Sequence, residues 1–141
     1  MSRILDRLPP YVLPAIVFVA AAAAVFLRHR DVFLVPQFYA EDGTLWFARA
    51  HNIGAWRAVF MPDSGYFQIV STLTAALSTA VPLRYAPLVF SLVAAAIETL
   101  PAVFLASRRA ARLIPDTSLR LLLVALYVAL PNTWTNCAVV T

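Results

Sequence analysis

Two carboxylates stand side by side, Glu41 and Asp42, inside the run Phe38-Tyr39-Ala40-Glu41-Asp42-Gly43-Thr44-Leu45-Trp46-Phe47. Neighbouring acids repel, so one of them is expected to hold its proton above the usual carboxylate range unless a cation lies close. An acid poised in this way suits general-base catalysis or hard-oxygen ligation of a metal ion. A helix cap beside a solvated acid is the plainer alternative. Asp42 is expected to cap a short helix beginning at Gly43, which would project Leu45, Trp46 and Phe47 into a membrane interface. A third acid, Glu98, interrupts an apolar run just before Thr99 and Pro101. Acids in such runs face a cavity or a partner. Glu98 therefore reads either as a proton- or cation-coupled site or groove lining, or as a neutral acid bonded to Thr99 or to a hydroxyl of another helix. Pro101 leaves the Ile97 carbonyl without its helical donor and is expected to bend that helix.

The elements that must position these groups follow from composition and charge spacing. Of 141 residues, 62% are hydrophobic and only 13% charged, and the mean hydropathy is +0.78. A soluble domain of this length could not hide so much apolar surface, and disorder is excluded by the same content. One cysteine, Cys137, rules out a disulfide scaffold and reads as a small buried apolar group. The net charge of +4 comes from eleven arginines without a lysine. They are scattered between apolar runs, which excludes a nucleic-acid footprint. An arginine-only, alanine-rich composition fits a GC-rich gene and points to a bacterial source. Neither His29 nor His51 has a partner at metal-ligand spacing.

About 20 apolar residues carry a helix across the hydrocarbon core. Charge-free stretches place spans at approximately 9–27, 65–83, 86–107 and 115–131, the last capped from Asp116-Thr117-Ser118. The first stretch exceeds the apolar core of a cleavable signal peptide, so it is read as a span. The expected fold is an all-α polytopic membrane helix bundle of about four transmembrane helices, forming a single membrane domain over 1–141. The chain ends on an apolar run, and it is expected to be the N-terminal part of a longer protein. The connection 28–64 holds four of the seven acids. Eight of the seventeen aromatic residues fall between Phe38 and Phe67, so this loop is expected to lie at the lipid–water boundary and to contain short helices. Arginine counting alone would place the N-terminus outside.

The segment Tyr39-Ala40-Glu41-Asp42-Gly43 with Trp46, then Gly65-Tyr66 entering the next span, and Leu130-Pro131-Asn132 with Thr135-Asn136, resembles a poorly characterised bacterial group of the GT-C superfamily of multi-span glycosyltransferases. The resemblance implies an extracytoplasmic loop 28–64, which we follow over the arginine count, and the bacterial inner membrane as location. It implies a polyprenyl-phosphate-linked sugar donor used for cell-envelope glycan or lipid modification. Asp42 or Glu41 would be the catalytic acid, with Tyr39, Trp46, Arg49 and Arg57 in the substrate site. Arg49 or Arg57 would hold the leaving phosphate, since guanidinium matches phosphate oxygens bidentately; surface or headgroup contact is their simpler reading. A divalent cation is left open as cofactor. The partners implied are the lipid bilayer and the lipid-linked sugar. The competing readings are a small four-helix transporter centred on Glu98, or a non-catalytic membrane subunit bound to a larger membrane protein partner.

Overall fold

The computed structural model describes residues 9–130. Their regular elements are all helical: α1 (Val12–Arg28), α2 (Arg30–Leu34), a π-helical turn (Asp42–Phe47), α3 (Ala48–Ile53), α4 (Ala55–Val59), α5 (Ile69–Ser78), α6 (Ala86–Ala106) and α7 (Thr117–Ala129), with short 3-10 turns at Leu83–Tyr85 and Ala110–Arg112. The all-α expectation is met. The only extended pairing among the described residues is an isolated bridge between Asp63 and Tyr66, whose amides and carbonyls exchange two 3.0 Å hydrogen bonds. Ser64 and Gly65 both take positive φ (49° and 89°) to close that turn, the geometry a type I′ connection demands.

The described residues form two compact units. Residues 9–28 and 96–130 make one, and residues 29–95 the other, with α6 contributing its second half to the first and its first half to the second. In the first unit Val17 and Ala21 of α1 pack with Ala102 and Ala106 of α6 and Val124 of α7. Small residues at these contacts let backbones approach closely. Arg28 closes the unit by donating from Nη2 to the Val128 carbonyl at 2.5 Å. In the second unit α3, α4, α5 and the π-helical turn pack on one another around Trp46, Phe47, Ala50, Ala58, Ala75, Ala86 and Phe90.

Only one described helical stretch, Leu83–Ala106 with 24 residues, is long and apolar enough to cross a bilayer by itself. The expected span at 65–83 contains just ten helical residues. The Ser64–Gly65 turn consumes its start, and the chain leaves the helix after Ser78, three residues short of Pro82. The 13 residues of α7 begin as expected: the Asp116 carboxylate accepts from the Ser118 amide at 2.8 Å. Pro131, the motif at 132–136 and Cys137 lie outside the described residues.

Side chains are sorted in an unusual sense. Large apolar groups face outward on every long helix: Ile16 and Phe18 on α1, Leu73 and Leu77 on α5, Leu92, Leu100 and Phe104 on α6, Leu122 and Leu126 on α7. Ser71, Thr72, Thr74, Ser78, Ser91 and Thr99 are buried. Most of these hydroxyls bond carbonyls of their own helix, as Thr74 does to Val70 (2.8 Å) and Ser78 to Ala75 (2.7 Å). A hydroxyl satisfied within its own helix can be buried without a partner helix to receive it.

Candidate functional site

The acidic pair lies where the extended chain 35–39 turns into the π-helical segment. Ala40 makes the corner in the left-handed region, φ 45°, a conformation that costs a non-glycine residue about 1–2 kcal/mol. Gly43 is required two positions after the corner ends. A Cβ there would stand 2.8 Å from Cγ and 2.9 Å from Cβ of Phe38, atoms too close to the backbone to swing away. The Phe38 ring is clamped between Phe47 (centroids 5.1 Å) and Phe90 (5.7 Å, edge-on), favoured separations for aromatic pairs.

That clamp turns Asp42 inward, which corrects two expectations. Asp42 does not cap a helix at Gly43: it is the first residue of the π turn, Glu41 occupies the cap position, and neither makes a side-chain cap hydrogen bond. Trp46 and Phe47 do not project into an interface; they are core residues, with Trp46 1% exposed. The aromatics that do face outward come later, Trp56, Phe60, Tyr66 and Phe67.

The two acids now differ. Asp42 is 1% exposed, whereas Glu41 is exposed. Burial pushes the Asp42 carboxyl up to about 7, the adjacent Glu41 charge adds to the rise, and a hydrogen bond with the Tyr39 backbone draws it partly back. Its Oδ1 has no hydrogen-bond partner in the protein, and Trp46 Nε1 and Arg49 Nη1 are likewise buried and unpartnered. A carboxyl held near 7 is divided between acid and base at neutral pH, the condition for efficient proton transfer.

The remaining expected site residues are distributed as follows. Tyr39 is tied to Asp42, whose amide donates to the Tyr39 carbonyl at 3.0 Å. Arg49 packs its guanidinium over the Trp46 ring (5.6 Å to the centroid) and donates from Nη2 to Asp63 Oδ1 at 2.7 Å. That contact holds the Asp63 carboxyl below its ordinary value. Arg49 is thus engaged in joining α3 to the turn at 63–66. Arg57 is exposed on α4. Glu98 belongs to the other unit, where it lines a small cavity of about 10 Å³ with Arg28, Thr99 and Tyr127. Thr99 donates to Ala96 of its own helix (2.7 Å), and the Tyr127 hydroxyl donates to the Glu98 carbonyl (2.8 Å). α6 continues through Pro101, so the proline does not end the helix. No group of three or more His, Cys, Asp or Glu side chains is arranged to hold a metal among the described residues.

One buried charge escaped the sequence reading. Arg120, 6% exposed, donates to the carbonyls of Leu105 (3.3 Å) and Ser107 (3.0 Å) and to Thr117 Oγ1 (2.9 Å). It caps the C-terminal end of α6, where a cation meets unsatisfied carbonyls and the negative end of the helix dipole. Its position immediately before an apolar run was the available signal. No family model, curated protein or solved structure matches this chain.

Proposed function

We propose that this chain is a membrane-embedded glycosyltransferase of the bacterial inner membrane that takes its sugar from a polyprenyl-phosphate donor, with Asp42 as general base. The observation that carries the reading is a buried carboxyl, one oxygen without a partner, held near 7 next to an exposed acid. In this reaction an acceptor hydroxyl attacks the anomeric carbon. The new C–O bond forms as the bond from that carbon to the lipid phosphate breaks; the phosphate leaves with the electron pair and Asp42 takes the hydroxyl proton. Glu41 raises the proton affinity of Asp42 and does not itself receive the proton. Outward-facing apolar side chains on α1, α5, α6 and α7 support a polytopic arrangement in lipid, with loop 28–64 as the extracytoplasmic active-site loop.

The test is transfer from a radiolabelled polyprenyl-phosphate hexose in membranes carrying the protein. Asp42→Asn is expected to lower kcat by about 10²-fold or more, in line with loss of a general base. Glu41→Gln keeps most activity and moves the acidic limb of the pH profile down, because one charge beside Asp42 is gone. An unaltered protein with no transfer, or an Asp42→Asn variant with undiminished transfer, refutes the assignment. The water-sized cavity beside Glu98 favours a second reading, a proton- or cation-coupled transporter. It requires pH-dependent substrate binding lost in Glu98→Gln, with Asp42 dispensable.

A further inference from the structure

Residues 29–39 fold around a groove of their own. α2 forms one wall and the chain returning to Tyr39 forms the other, leaving an open cavity of about 360 Å³, within the range of small-molecule sites. Its polar lining is His29, Asp31 and Gln37; Val32 and the aromatic pair Phe38 and Tyr39 supply apolar surface. No arginine is among the lining residues. A phosphate or carboxylate would therefore meet the Asp31 carboxylate without a countercharge. His29 is more than nine-tenths buried, and its Nε2 has no hydrogen-bond partner. Such an atom costs about 1–3 kcal/mol when left unsatisfied.

We propose that this groove binds a neutral sugar ring. Sugar hydroxyls both donate and accept, which matches a carboxylate that only accepts and an amide that does both. The C–H faces of the ring match Val32 and the aromatic edge. Phe38 is held in place by Phe47 and Phe90, so the apolar wall is set before a ligand arrives, and ordering it costs little. The groove ends at Tyr39, whose carbonyl holds the Asp42 amide. As a sugar site the groove stands on its own lining; as the acceptor site it rests on the transfer reading above.

The experiment is saturation-transfer NMR on the full chain in lipid nanodiscs, with methyl α-D-mannopyranoside and methyl α-D-glucopyranoside as probes. Saturable binding is expected, weakened at least about fivefold by Asp31→Asn and by Gln37→Ala, the scale of one lost hydrogen bond. Both side chains are exposed, so thermal unfolding should be unchanged and the loss can be read as loss of contact. Inorganic phosphate should not compete. Absence of binding by both glycosides, unchanged binding in both variants, or equal competition by phosphate overturns the proposal. Binding lost in Asp31→Asn while Asp42→Asn still transfers sugar refutes the transferase and leaves the groove. Transfer lost in Asp42→Asn while both groove variants bind normally refutes the groove and leaves the transferase.

Discussion

Among the described residues each unit buries an acid or a guanidinium, Asp42 in one and Arg120 in the other, and the two differ in how far they are hydrogen-bonded. In the unit built from 9–28 and 96–130, Arg120 is buried with Nη1 and Nη2 donating to two carbonyls and a hydroxyl and only Nε left without a partner. In the unit 29–95, Asp42 is buried deeper still, yet its Oδ1 has no partner, and in the same unit Trp46 Nε1 and Arg49 Nη1 have none either. A paired buried charge holds helices together. An unpaired one subtracts from stability, and chains keep such groups where the perturbed proton affinity is used. The contrast separates a structural residue from a candidate catalytic one without recourse to relatives.

The largest effect that can break this contrast is at Asp42. Asp42→Asn should cost transfer about 10²-fold or more while making the protein more stable at neutral pH, because the amide needs no charge in the core. The sign follows from the raised carboxyl: the folded state binds this proton more tightly than the unfolded chain. The stabilisation is complete below about pH 4 and disappears as pH rises through about 7. Thermal midpoints between pH 4 and 8 should fall in the unaltered protein and lie nearly flat in Asp42→Asn. A variant that loses both activity and stability would place Asp42 with Arg120 as a structural group.

At Arg120 the expectation reverses. Arg120→Ala strands the carbonyls of Leu105 and Ser107 and is expected to lower stability by about 3 kcal/mol, with Arg120→Lys recovering part of it. Denaturant midpoints measure this. Gly43→Ala is next in size. It forces the Phe38 ring from its place between Phe47 and Phe90, and about 1–3 kcal/mol is the usual cost of such overpacking. Because Phe38 also walls the groove, the same variant should weaken glycoside binding, which a purely local packing defect elsewhere would not do.

Much of this was legible from residue types. Adjacent acids announced one perturbed carboxyl, and Asp116 was recognisable as a cap. Helix lengths were less legible, because twenty uncharged residues set only an upper bound: between Asp63 and Arg84 the positive-φ turn at Ser64–Gly65 and the residues leading to Pro82 leave ten for α5. The inward turn of Asp42 was not readable at all. It depends on a π turn whose start is fixed by the Phe38 ring against Gly43, a contact between residues five apart that no helical or strand period encodes. The Arg49–Asp63 contact was not readable for a related reason, since Asp63 is fourteen residues away and is presented by a turn.

The smallest effect sharpens the comparison within the unit that holds Asp42. Asp63 is its counterpart: a carboxylate at the surface, lowered by its hydrogen bond to Arg49 where Asp42 is raised by burial. The stabilisation from Asp63 is present above the ordinary carboxylate value and lost as pH falls through the lowered one, so the two acids tilt the pH profile in opposite directions. Asp63→Asn should cost little stability near neutral pH, as solvent-screened ion pairs do, and the cost should shrink in high salt. It also frees the Arg49 guanidinium. If Arg49 serves a lipid phosphate once released from Asp63, the variant should lower the KM for the polyprenyl-phosphate donor with kcat unchanged. If Arg49 only ties α3 to the 63–66 turn, KM stays where it was and Arg49→Gln reproduces the stability loss of Asp63→Asn.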